Sequence, residues 1–144
     1  MKKIICLVVV VLMIATVAIA AKKMVIDKNN LASLKGTWAG TLSFGLMEAG
    51  GTSPATLEIL SDTAPVKAKL TIAYVPKQVA DQFGGMGGQQ AMDADNGVLT
   101  SQGTLLWTGA ASNFVEAAIK SEGKALWVTY FYRGMKGEGT FKKK

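Results

Sequence analysis

The chain has 144 residues, a net charge of +6, no histidine and a single cysteine, Cys6. Those absences exclude imidazole acid–base catalysis and zinc sites built from clustered Cys and His, and they leave no second thiol for an internal disulfide. Stability has to come from apolar packing and a well-paired sheet.

Met1-Lys2-Lys3, an apolar run from Ile4 to Ile19 and the small-x-small ending Ala18-Ile19-Ala20 read as a secretory signal peptide, cleaved after Ala20. The expected location is therefore secreted or periplasmic. Left uncleaved, the run would be a membrane anchor, and it is the only membrane contact the sequence predicts. Cys6 stands at the start of the run and not at its end, which excludes a lipoprotein. Removing residues 1–20 of 144 leaves 124, the size of one small domain, and without Lys2 and Lys3 the charge of +6 becomes +4. Much of that charge sits near the ends, in Lys22, Lys23 and Lys142 to Lys144. No basic stripe interleaved with aromatics is present, so no nucleic-acid partner is expected.

Residues 21–35 form a polar lead-in with room for one helical turn, capped by Asn30 or Ser33. Residues 36–144 are expected to be the folded domain. Thr37 to Phe44 alternates as a half-buried strand, with Trp38, Leu42, Phe44 and Leu46 on one face. Glu48 to Pro54, rich in glycine and closed by proline, reads as a turn. A second strand, Ala55 to Leu60, turns Ala55, Leu57 and Ile59 inward. A third, Val66 to Val75, turns Val66, Ala68, Leu70, Ile72 and Tyr74 inward, against Lys67, Lys69 and Thr71 outside.

Residues 76–96 break this rhythm and read as a long, glycine-rich loop. Within it, Pro76 to Phe83 fits two helical turns with Val79, Ala80 and Phe83 on one face. The loop is either a mobile lid or an ordinary connection. Strands resume at Val98–Gln102, Thr104–Thr108, Ser112–Lys120, Lys124–Arg133 and Lys136–Lys142. The strongest is Lys124–Arg133. It sets Leu126, Val128, Tyr130 and Tyr132 against Trp127, Thr129 and Phe131, so that both faces carry apolar surface. The series predicts an all-β fold: a single small antiparallel up-and-down β-barrel of about eight strands, or alternatively a β-sandwich.

Gly36-Thr37-Trp38 at the start of the first strand resembles the Gly-x-Trp signature of the calycin barrels, the group containing lipocalins and avidins. The resemblance implies that Trp38 packs at the closed end of the barrel beneath a basic side chain from near the end of the last strands. Arg133, the one arginine, is the candidate for that side chain. The Thr-Asp-Tyr motif of lipocalins and the hydrogen-bonding residues of the avidin first strand have no counterpart here, so the ligands of those families are not carried over.

Asp93-Ala-Asp-Asn-Gly97 has alternating oxygen ligands, but the glycine falls one position early for an EF-hand and no glutamate closes it. A hairpin turn is the better reading, and no metal is expected. No two carboxylates form a recognisable catalytic pair. Glu116 depends on register: the inward set is either Val115, Ala117 and Ile119, or Phe114, Glu116 and Ala118. No enzyme activity and no cofactor are expected.

The expected role is binding of an apolar small molecule or of a protein partner. An internal cavity would be lined by Leu42, Phe44, Leu57, Ile72, Tyr74, Val128, Tyr130 and Tyr132. Phe44, Tyr74, Phe83, Tyr130 and Tyr132 are the candidate ligand contacts. An external patch of Trp107, Trp127 and Phe131 would meet a homodimer mate or an exported protein. The alternative role is inhibition of an exported enzyme through loops or the lead-in.

Overall fold

The structure, a computed structural model, describes residues 24–45, 50–82, 84–85, 87–109, 113–120 and 123–144. The signal segment, Leu46 and Phe83 lie outside the described residues.

Eight antiparallel strands run in sequence order around a closed barrel. They are β1 (Gly36–Phe44), β2 (Gly51–Ile59), β3 (Val66–Ile72), β4 (Gln90–Leu99), β5 (Leu105–Thr108), β6 (Phe114–Lys120), β7 (Ala125–Tyr132) and β8 (Met135–Lys143). Each pairs with its neighbour in sequence, and β8 returns to β1 through pairs such as Gly40↔Phe141 and Phe44↔Gly137. The architecture is the up-and-down barrel and not the sandwich. Two short helices, α1 (Leu31–Leu34) and α2 (Lys77–Gln82), lie at opposite ends of it.

The alternation that marks the strands in the sequence also fills the interior. Trp38, Leu42 and Phe44 of β1, Leu57 and Ile59 of β2, and Leu70 and Ile72 of β3 are buried, as are Val115 and Ala117 of β6 and Leu126, Val128 and Tyr130 of β7. On β8 two inward positions are glycine. A Cβ at Gly137 would run into the ring of Phe44, and one at Gly139 would collide with the Thr41 carbonyl, so the missing side chains are what let β8 close against β1. Tyr132, Arg133, Gly134 and Met135 make the β7–β8 turn, with Arg133 and Gly134 both at positive φ (49° and 87°). That is the backbone a two-residue hairpin of this twist requires.

Both ends of the barrel are plugged. At the lower end, where β1 begins and β8 finishes, Ile26, Leu31 and Leu34 are buried, and Trp38 Nε1 donates 2.7 Å to the Leu34 carbonyl. Asn30 precedes α1 without capping it. Its side chain accepts from the Asp27 amide and donates to the Val25 carbonyl, tying the lead-in to itself. At the upper end Val75, Val79 and Ala80 are buried, and Pro76 packs against Gly51.

Three boundaries depart from the sequence reading. β2 starts at Gly51, so Thr52, Ser53 and Pro54 are strand and not turn; Ser53 Oγ, buried, accepts from the Tyr74 amide at 3.2 Å. β3 ends at Ile72, and the chain bends before Tyr74, which is 47% exposed instead of inward. Gln90 to Asn96 belongs to β4 and not to the loop, pairing Ile72↔Gln90, Leu70↔Met92 and Ala68↔Ala94. Asp93 to Gly97 is therefore not a hairpin turn. It contains a bulge, because Ala68↔Ala94 is followed by Val66↔Gly97. Among the described residues no helix is long and apolar enough to cross a membrane.

Candidate functional site

The lower half of the barrel is solid. Trp38, Trp107 and Phe141 are buried there, and Trp107 Nε1 donates 2.8 Å to the Val66 carbonyl across the interior. The space above them is not filled. A cavity of about 260 Å³ is lined by Leu70 and Ile72 of β3, Gln90, Ala91 and Met92 of β4, Gly109 and Asn113 between β5 and β6, and Tyr130 and Tyr132 of β7.

Its position follows from the bulge. Below the bulge β4 pairs with β5 at Val98↔Leu106 and Leu99↔Leu105. At the bulge the Asn96 amide takes over, its Nδ2 donating 2.6 Å to the Thr108 carbonyl. Above it, Gln90 to Ala94 pair with β3 on one side and, among the described residues, with no strand on the other. An extra residue in one strand bends it away from its neighbour. Here that bend leaves, among the described residues, a seam between the upper part of β4 and β5, and the cavity lies behind the seam.

The polar groups around the cavity are few and neutral. Tyr130 is 4% exposed, and burial, reinforced by the adjacent Tyr132 phenol, pushes its hydroxyl up to about 12. It therefore remains a protonated donor across the physiological range. The Tyr130 and Tyr132 rings are parallel within 4°, with centroids 6.3 Å apart. Asn113 is held from two sides: its carbonyl accepts from the Gly109 amide (2.7 Å) and its Oδ1 from the Arg133 amide (3.0 Å). The Asn113 amide group is thereby oriented by the hairpin ends.

Of the candidate ligand contacts, Tyr130 and Tyr132 line the cavity, whereas Phe44 is buried against Gly137 on the β1–β8 side. Tyr74 is outside. Gln90, Met92 and Asn113 were missed, the first two because they were read as loop. The external patch divides in the same way. Trp107 is fully buried, because β5 turns it inward with Leu105 and it cannot share a face with Trp127. Trp127 and Phe131 are half-buried on the outer face of β7. Lys120 Nζ stands 4.6 Å over the Trp127 ring, and Phe114 stacks on Phe131 with centroids 5.3 Å apart.

Arg133 does not reach Trp38. Its guanidinium lies 5.7 Å over Tyr132 at the upper end, and the cation over Trp38 is the Lys143 ammonium, at 5.7 Å. Arg133 fails because it sits in the β7–β8 turn, at the end of the barrel opposite Trp38. Glu116 faces outward and accepts 2.7 Å from Thr104 Oγ1, so the inward set of β6 is Val115 and Ala117, with Ile119 partly buried beside them. Among the described residues no cluster of three or more acidic, histidine or cysteine side chains could hold a metal ion. The site is thus a small, neutral, aromatic-lined cavity in the antiparallel barrel. The chain matches no protein-family model, no curated protein and no solved structure.

Proposed function

We propose that this chain is an exported, non-enzymatic binding protein of calycin type for a small apolar molecule. The cavity of about 260 Å³ behind the β4–β5 seam carries this reading. It lies a little below the roughly 300–1,000 Å³ typical of small-molecule sites, and it combines apolar walls with a few convergent polar groups as such sites do. The closed eight-stranded order and the cation over Trp38 support the calycin assignment, with Lys143 in place of arginine.

Native mass spectrometry of the protein purified gently from the exported fraction tests the reading. A small molecule retained in stoichiometric amount is the expected result; a bare chain that also takes up no apolar probe would defeat it. A second reading, a homodimer or an inhibitor of an exported enzyme, is favoured by Trp127 and the stacked Phe114–Phe131 pair on the outer face. It predicts a dimer or a captured exported protein, lost on Trp127→Ala.

A further inference from the structure

Which molecule would the cavity take, and how would it arrive? Both questions rest on the binding reading above. Every described side chain that lines the cavity is apolar or uncharged. A buried ionic group is costly without a partner of opposite charge, and the described walls offer none. Arg133 is exposed and packs over the Tyr132 ring.

Gln90 and Tyr132 also line the cavity and carry oxygens that can accept, but the two groups best placed to bind, Tyr130 and Asn113, suit an acceptor on the ligand. The Tyr130 hydroxyl makes no hydrogen bond to any described residue, and it lies at the cavity wall. The Asn113 Nδ2 group is likewise without a partner among the described residues, while its Oδ1 is already engaged by the Arg133 amide. A neutral hydroxyl and an amide NH2 can both donate to a carbonyl or ether oxygen. The parallel Tyr130 and Tyr132 rings form a series that a further flat ring can extend by offset stacking. The volume limits the occupant to about one ring with a short substituent.

The route follows from what is blocked. The lower end is plugged by Ile26, Leu31 and Leu34, and the upper end by Val75, Val79 and Ala80, all buried. Neither plug contributes to the cavity lining. The exposed Ala91 does, at the seam where β4 has parted from β5, and the Asn96–Thr108 hydrogen bond is the lowest tie across that seam.

We propose that the cavity takes a small, uncharged, flat molecule bearing a hydrogen-bond acceptor, and that this molecule passes through the side of the barrel between β4 and the β5–β6 hairpin, not through either end.

Calorimetric titration of the exported protein with three probes of one size tests the class: acetophenone, which is neutral with an acceptor; ethylbenzene, neutral without one; and benzoate, which is anionic. Acetophenone is expected to bind at least tenfold more tightly than benzoate, and Tyr130→Phe is expected to weaken acetophenone about tenfold while leaving ethylbenzene unchanged. Benzoate binding as tightly as acetophenone overturns the class and leaves the cavity reading standing. If none of the three binds although the native protein carries a ligand, the class again fails; if none binds and no ligand is carried, the cavity reading fails with it. For the route, Ala91→Trp should abolish acetophenone uptake, and Asn96→Ala, which lies outside the lining, should speed both association and dissociation several-fold. Undiminished uptake by the folded Ala91→Trp protein, or unchanged rates in Asn96→Ala, overturns the side passage.

Discussion

The ammonium of Lys143 stands 5.7 Å above the Trp38 ring and donates 2.7 Å to the Ser33 carbonyl. One side chain near the end of the last strand thus holds both the first strand and the helix that plugs the lower end. Lys143→Ala removes a cation–π contact and a charge-assisted hydrogen bond at an exposed site, for an expected loss of about 1 kcal/mol. Urea unfolding of the variant checks it, with Lys142→Ala as the neighbouring control. Equal midpoints for the two variants would show that Lys143 ties nothing down.

Gly97 presents bare backbone to the Trp107 indole nitrogen, and a Cβ there would overlap Nε1 and crowd the Val66 carbonyl. The Trp107–Val66 hydrogen bond and the bulge occupy the same space. Gly97→Ala is therefore expected to cost roughly 2–3 kcal/mol by overpacking and loss of that bond. Gly87→Ala, where a Cβ would meet nothing, should stay within about 0.5 kcal/mol. Denaturant midpoints and the near-ultraviolet circular dichroism of the indoles separate the two.

The Tyr130 hydroxyl is raised from 10.0 to about 12 in the folded barrel. A group whose pKa is higher folded than unfolded adds nothing to the pH dependence while both forms are protonated. Above pH 10 the unfolded chain releases the proton and the folded barrel does not, so stability falls between about pH 10 and 12. In Tyr130→Phe that part of the decline should disappear. Stability profiles of the two proteins over this window, with the phenolate absorbance followed in parallel, provide the comparison.

On the outer face, Phe114 and Phe131 stack at 5.3 Å with their rings 14° from parallel. A double-mutant cycle with Phe114→Leu and Phe131→Leu is expected to give a coupling of roughly 1 kcal/mol in the monomer. A coupling near zero would mean that the pair contributes nothing to the fold and is surface held for something else.

Most of the barrel is legible in the sequence because large apolar residues alternate with polar ones, and β1, β3, β6 and β7 show that pattern most clearly. β4 hides it. Its inward positions at Gln90, Met92 and Ala94 are partly exposed at the seam, so they carry no uniform apolar signal, and the bulge then shifts the period. The cavity was half-visible for the same reason: Tyr130 and Tyr132 stand on the strongest strand, while Gln90, Met92 and Asn113 stand on segments without a period. Tyr74 was misplaced by extending β3 past Ile72, where the rhythm continues in the residues but the backbone bends. Trp107 was misplaced because a strand as short as Leu105–Thr108 does not reveal which of its faces is inside.

The seam has a consequence for keeping the chain in solution. Among the described residues, the stretch from Gln90 to Asp95 has a strand on one side only, and its amides and carbonyls would offer a template onto which a second chain could add as a strand, the first step of fibrillar aggregation. That stretch carries Asp93 and Asp95 on its exposed side and ends at a bulge. Charge and curvature are both features that prevent such addition, so the strand that opens the barrel also guards the opening. Replacing the two aspartates with threonine should leave the fold intact and raise light scattering on concentration; scattering unchanged from the parent protein would show that the carboxylates protect nothing.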